Sequence, residues 1–321
     1  MLLPSLAIII GLIALMWSAD RFVEGASATA KHLGMSPFLI GMLIMGFGTS
    51  APEMIVSAMA ALSGNPELAL GNAYGSDIAN IALVLGVTAI INPIAVDKNI
   101  LRKDLPILTI VTFIAGYQLY DGYISQLDAL ILMGIFILFI VWTIVKAKNK
   151  GKDSIDEDVI HQLDEIHLSL IAGLIWVIIG LILLVVSSKI LVWGAVSVAK
   201  YFGLSDLVIG LTIVSVGTSL PELAASIAAV RKNEHDMAFG NIIGSNMFNT
   251  LTVVAIAGII KPMNVSPEIL TRDWMLLITL TLSLFVMGYG FKKPGSINRI
   301  EGTILLSVFI GYMFVIFLGY A

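Results

Sequence analysis

Two stretches decide the fold: Gly34–Asn80, "GMSPFLIGMLIMGFGTSAPEMIVSAMAALSGNPELALGNAYGSDIAN", and Gly203–Asn249, "GLSDLVIGLTIVSVGTSLPELAASIAAVRKNEHDMAFGNIIGSNMFN". They align without a gap, so that Pro52 meets Pro221, Glu53 meets Glu222 and Asn80 meets Asn249. The register runs on outside them, pairing Gly11 with Gly180, Gly25 with Gly194 and Pro93 with Pro262. Within Ile44–Leu62 the only charge is Glu53. A carboxylate near a bilayer centre costs about 2.5–3.5 kcal/mol on insertion scales. A proline removes a backbone hydrogen bond where no water replaces it. The chain accepts both, twice, at matched places.

Composition says why a bilayer is the relevant solvent. Of 321 residues 58% are hydrophobic and 12% charged, and the mean hydropathy is +0.97; a soluble domain carries about 25% charged residues. Apolar runs of roughly 20 residues, enough to cross about 30 Å of hydrocarbon, recur near 4–30, 36–63, 67–91, 103–119, 126–145, 167–200, 205–231, 236–260, 272–290 and 301–319. The fold class is therefore an all-α polytopic membrane protein. It has about ten transmembrane helices in two repeats, residues 1–145 and 167–321, joined by a linker at 146–166. Five spans per repeat is an odd number, so the second copy enters from the opposite face, the inverted arrangement of secondary transporters. The first and sixth spans are long, about 27 and 34 residues, which implies strong tilt or bending. The N-terminus has neither a basic leader nor a small-residue cleavage site, so no removed signal peptide is expected.

Orientation follows from the basic residues. With both termini outside, Lys31, Lys98, Arg102, Lys103, Lys146, Lys148, Lys150, Lys152, Arg231, Lys232, Lys292, Lys293 and Arg299 face the cytoplasm. Only Lys200, Lys261 and Arg272 fall outside, as the positive-inside rule favours. Localisation is then a cell (plasma or inner) membrane. The linker, basic and then acidic, has no EF-hand pattern and reads as a solvated connector. The small net charge of −4 gives no sign of nucleic-acid binding, and the absence of cysteine excludes disulfides and thiolate metal sites. No obligate protein partner is evident beyond the bilayer and small cations.

The interrupted spans carry the chemistry. Pro52 and Pro221 free the carbonyls of Gly48 and Gly217. Ser50 is an expected N-cap, with Glu53 at the capping-box position. Freed carbonyls, hydroxyls and a carboxylate around a gap form an oxygen-rich site suited to Na+ or Ca2+. The next span of each repeat adds Ser76 with Asn80, and Ser245 with Asn249, four residues apart and hence on one helix face. The glycines at 71, 75, 240 and 244 permit close helix approach. Asp20 and Lys189 hold equivalent positions and read as interfacial or paired. The four histidines (His32, His161, His167 and His235) lie in or near loops, which argues against a midplane histidine relay.

The paired "GTSAPE…GNAYGSDIAN" and "GTSLPE…GNIIGSNMFN" motifs resemble the two α-repeats of the sodium/calcium exchanger family, within the Ca2+/cation antiporter superfamily. The likeness is to its short prokaryotic members. The resemblance implies alternating access, Na+ and Ca2+ occupying one central cluster in turn, and first and sixth helices that slide as a gating pair. It implies Glu53 and Glu222 as principal ligands, with Thr49 and Thr218 adding oxygens to the Ca2+ site. It also implies Ser50, Ser76, Ser219 and Ser245 at Na+ sites, Asn80 and Asn249 in the middle, and backbone carbonyls near Gly46 and Ser215. One departure stands out. Well-known members carry Asp where this chain has Asn249, which leaves two carboxylates. Asp77, replaced by Asn246 in the second repeat, is a candidate helper that alternatively faces a neighbouring helix.

The functional expectation is a Na+/Ca2+ antiporter with no catalytic residues and no cofactor, its ions being cargo. H+-coupled transport of Ca2+ or another cation on the same fold is the alternative, because a desolvated carboxylate readily takes a proton. A cation channel is the remote one, since no ring of symmetric ligands is present. Neither an H-E-x-x-H motif nor a nucleophile–base pair points to an enzyme.

Overall fold

The computed structural model describes residues 2–64, 66–150, 168–203, 215–289 and 295–319. In chain order the long helices are α1 (Leu2–Leu33), α2 (Pro37–Leu62), α3 (Glu67–Ile91), α4 (Leu105–Leu119), α5 (Gln126–Lys150), α6 (Leu170–Tyr201), α7 (Leu220–Arg231), α8 (His235–Ile260), α9 (Ile269–Gly288) and α10 (Arg299–Gly319). Among the described residues eight of these are long and apolar enough to cross a membrane. The other two positions are α4, entered through the turn Ile100–Asp104, and α7, preceded by the short turn Ser215–Thr218. The expected seventh span begins at 205, and its residues 205–214 lie outside the described set, as do linker residues 151–166.

Starts and stops follow the local sequence. Ser36, in an extended conformation before Pro37, accepts the Leu39 amide at 3.4 Å and opens α2. Ser169 does the same for α6 through the Ala172 amide at 3.3 Å. These are ordinary N-caps. At 32 residues each, α1 and α6 are about 48 Å long at 1.5 Å per residue, well beyond the hydrocarbon thickness. They pack antiparallel on each other: a Cβ on Gly11 would meet Leu191, one on Gly180 would meet Phe22, and one on Gly25 would meet Gly173.

The remaining helices form a bundle around α8. Of the most apolar window of α8, 89% is buried, against 22% for α1. The first half of α2 crosses α8 backbone to backbone, with Gly41 against Met237, Gly240 against Phe38 and Gly244 against Met42. The close approach expected of Gly240 and Gly244 is thus present. For Gly71 and Gly75 the corresponding partner segment, 207–211, is outside the described residues.

Two features had no counterpart in the sequence reading. One is a pair of antiparallel ribbons. Ile94–Ala95 pairs with Ser296–Ile297, and Tyr123–Ile124 pairs with Met263–Asn264. The first ties the α3–α4 loop to the α9–α10 loop, and the second ties α4–α5 to α8–α9. Each pairing requires its two loops to share a side, as alternate crossing by ten helices provides. Hydrogen bonds from Lys261 to Gly64, Asn92 to Val230 and Ser27 to Glu234 sort the same way. The other feature is the π turn, found at Gly41–Met45 in α2, Asn80–Leu85 in α3 and Asn249–Val253 in α8, and also at Ile100–Asp104 before α4 and Ile269–Trp274 at the start of α9.

Candidate ion site

The proline interruptions are smaller than two capped half-helices. In α2 a helical turn Gly46–Thr49 passes through Ser50 into Ala51–Leu62, with the Ser50 amide on Gly46 O at 3.1 Å and the Met54 amide on Ser50 O at 3.1 Å. Ser50 (φ −83, ψ −2) and Ser219 (φ −90, ψ 4) make no side-chain cap. The expected capping box is therefore not formed. A capping hydroxyl reaches a following amide from the extended backbone region, and neither serine adopts it. The consequence is useful, because both hydroxyls and both glutamate carboxylates stay uncommitted.

The carbonyls released by proline differ between copies. Gly217 O accepts the Ser188 hydroxyl of α6 at 3.0 Å, whereas Ala19 stands at the matching position of α1. Gly46 O already receives the Ser50 amide, so it has one lone pair to offer. Ser215 lies on the turn before α7.

Glu53 and Glu222 are each held by one asparagine. Asn72 donates to Glu53 O at 3.2 Å and to Ser57 Oγ at 3.0 Å. Asn241 donates to Glu222 O at 3.4 Å and to Ser226 Oγ at 3.0 Å. The sequence reading missed this matched pair of brackets. Its signal was visible: each is the Asn of a repeated Gly-Asn, one turn before Ser76 or Ser245.

The two repeats meet at Thr49. Its hydroxyl lies 3.0 Å from Met45 O, 3.3 Å from Ser245 Oγ and 3.4 Å from Asn241 Oδ1, and it stands beside Glu222. The Glu53 charge acts on both Glu222 and Asp77. Ser50, Glu53, Ser76, Asn80, Ser219, Glu222, Ser245 and Asn249 are all at most 5% exposed. Among them the Ser50 and Ser219 hydroxyls, both carboxylates, and both amide atoms of Asn80 and Asn249 have no hydrogen-bond partner. Buried polar atoms are almost always paired, and leaving one unpaired costs about 1–3 kcal/mol. So many uncommitted oxygens in one region make a donor set for a hard cation. Among the described residues no three His, Cys, Asp or Glu side chains converge on one point. Two carboxylates supplemented by neutral oxygens could serve as such a donor set.

The surroundings are one-sided. Thr49 is fully buried, while Thr218 is partly exposed on a cavity of about 280 Å³. Pro52, Pro221 and Gly217 share that lining with Ser188, Lys189 and Trp193 of α6. Asn80 and Asn249 each open a π turn, an irregularity common at functional sites. Asp77, expected either as a helper or facing a neighbour, is fully buried and bonded to Thr250 of α8 at 2.7 Å.

A family model described as sodium/calcium exchanger protein matches residues 4–145 and 172–318, one match per repeat. The chain belongs to the sodium/calcium exchanger family. This exchanger is 43% identical to an Alkalimonas amylolytica protein carrying the name "Putative antiporter CaxA", aligned over 99% of each chain. It is 38% identical to the inner membrane protein YrbG of Escherichia coli (strain K12), over 98% of this chain and 96% of that one. It also matches the solved structure of the sodium-calcium exchanger NCX_Mj, with a TM-score of 0.81 at 34% identity over 96% of this chain and 97% of the other. It is accordingly a multi-pass membrane protein and a cation antiporter of the exchanger type, built as two inverted five-helix repeats. It is a transporter and not an enzyme, and its ions are substrates.

Proposed function

We propose that the chain exchanges Na+ for Ca2+ across the cell membrane by alternating access, at a midplane site shared by the two repeats. Glu53 and Glu222 are the charged ligands. Thr49 and Thr218 add oxygens for Ca2+, while Ser50, Ser76, Ser219 and Ser245 serve Na+. Asn80, Asn249 and the backbone carbonyls of Gly46 and Ser215 complete the shell. The observation carrying this reading is a pair of buried, mutually interacting carboxylates with uncommitted oxygens, each on a helix interrupted by proline. Two like charges in a poorly solvated site repel each other and are costly, and one divalent cation neutralises both.

The reading divides the chain into repeats 1–145 and 167–321 with a cytoplasmic linker, 146–166, and puts both termini outside. The distribution of Lys and Arg supports that orientation. The cavity beside Thr218, on the C-terminal half of α6, then opens outward, and the buried Thr49 closes the inward path.

The test is ⁴⁵Ca²⁺ uptake into proteoliposomes under an imposed Na+ or H+ gradient, repeated with Glu53→Gln and Glu222→Gln. Na+-driven uptake that both substitutions abolish is expected. Uptake driven by a pH gradient and indifferent to Na+ would replace the coupling ion, and uptake unaffected by both substitutions would reject the site.

A further inference from the structure

Asp77 is a third buried acid that the two-glutamate site does not use. It has no exposed surface, and among the described residues no basic side chain pairs with it. An unpaired carboxylate within a membrane span is costly to keep unless it binds something. Its surroundings come from the opposite repeat. Thr250 Oγ1 donates to Asp77 Oδ2 at 2.7 Å, and Asn246 Nδ2 donates to the Asp77 carbonyl at 3.2 Å. Asn249 stands next to the carboxylate. The second carboxylate oxygen, Oδ1, has no partner, nor do Oδ1 of Asn246 and both amide atoms of Asn249. All four residues are at most 1% exposed. Thr250 engages one carboxylate oxygen, while Oδ1 and the side-chain oxygens of Asn246 and Asn249 are uncommitted.

The arrangement occurs once. In the second repeat the counterpart of Asp77 is Asn246, and the first-repeat counterpart of Thr250 is Ile81. A purely structural polar bridge between α3 and α8 would need no charge, since an asparagine at 77 could accept from Thr250 as well. The charge is what remains to be explained.

We propose that Asp77, with Asn246 and Asn249, forms an accessory Na+ subsite between α3 and α8, adjoining the site of Glu53 and Glu222. Its carboxylate supplies the third negative charge that Asn249 does not. The inference rests on the two-glutamate site being the transport site. The subsite takes a monovalent cation because it offers one carboxylate, whereas a divalent ion is better neutralised by the two glutamates. Na+ bound here adds one positive charge to the Na+-loaded transporter and none to the Ca2+-loaded one.

The experiment is Na+ activation of Ca2+ exchange in proteoliposomes, read as Hill coefficient and half-saturating Na+, for Asp77→Asn, Asp77→Asn with Asn249→Asp, and Thr250→Val. Elution profile and melting temperature in detergent report folding. Asp77→Asn is expected to lower the Hill coefficient by about one and to raise half-saturating Na+ about tenfold, the scale of losing a charged ligand. Returning the carboxylate at position 249 is expected to restore the steepness. Thr250→Val, which frees Oδ2 but keeps the charge, shifts half-saturating Na+ severalfold and leaves the steepness intact. Wild-type steepness and half-saturation in folded Asp77→Asn overturn the proposal, as does a change confined to the pH dependence. Should Asp77→Asn not fold, unchanged half-saturating Na+ in Thr250→Val overturns it. If Glu53→Gln abolishes exchange while Asp77→Asn behaves as wild type, only the accessory subsite falls. If neither glutamate matters, the underlying site falls with it.

Discussion

Gly46→Ala probes the contact that aligns the two repeats. A Cβ at Gly46 would stand 2.9 Å from Gly244 C, 2.9 Å from Ser245 N and 3.0 Å from Gly244 Cα, where ordinary contacts begin at 3.4 Å and extend to 4 Å. All three atoms are helix backbone, which cannot rotate aside as a side chain can. The added methyl therefore pushes α2 and α8 apart by about 0.5–1 Å, and overpacking of this kind costs about 1–3 kcal/mol. The displacement falls on the seam of the site, where Thr49 Oγ1 and Ser245 Oγ are 3.3 Å apart. Ligands must hold within about 0.5 Å of a productive geometry, so ion affinity should fall along with stability. The assay is melting temperature in detergent with and without Ca2+, paired with the Ca2+ dependence of flux. The expected result is a lower melting temperature and a smaller stabilisation by Ca2+. Gly311→Ala is the control: nothing lies within 4 Å of its Cβ position, and alanine is the better helix former. Wild-type melting and Ca2+ affinity in Gly46→Ala would refute the claim that backbone contact at this crossing sets the site.

Asn241→Ala, which removes the bracket from Glu222 O and Ser226 Oγ, should lower Ca2+ affinity about tenfold, the scale of a lost hydrogen bond to the turn that carries Glu222. Asn72→Ala should do the same from the other half, and half-saturating Ca2+ in the flux assay measures both. Glu234, in the loop before α8, is partly buried, and that burial raises its carboxyl above the ordinary 4.5; the Ser27 hydroxyl and Lys232 oppose the shift while Asp236 adds to it. A raised folded-state value means the native protein holds the proton more firmly than the unfolded chain does. Its stabilising contribution is therefore complete below pH 4.5 and is lost as pH rises through the folded value. Glu234→Gln should flatten that part of the melting-temperature profile and raise stability at its alkaline end. An unchanged profile in a pH series would contradict the assignment.

Much of the fold was legible because hydropathy and repetition are properties of sequence order. The α3 span expected at 67–91 is the observed helix, and α8 differs by one residue at its start. Inversion followed from counting spans between Glu53 and Glu222. The candidate residues were chosen by type, and their hydrogen bonding could not be read from the sequence. "TSAPE" reads as a capping box, yet Ser50 keeps a helical backbone and its hydroxyl free. The role of Asn72 and Asn241 was missed because Gly-Asn between apolar residues is also ordinary helix-packing sequence. The ribbons were missed because strands of two residues leave no alternation to read.

By itself the sequence determined a bilayer-spanning chain, two copies of one unit in opposite orientations, and a carboxylate beside a proline in each. These follow from the cost of polar groups in hydrocarbon, which acts on every residue alike. Tertiary structure alone decided that Thr49 reaches Ser245, that Ser188 takes the carbonyl freed by Pro221, and that Asp77 turns toward Thr250. Such contacts depend on how far each helix is rotated and how closely two helices approach. Those quantities are fixed by backbone meeting backbone at Gly46, Gly240 and Gly244, between segments distant in the chain.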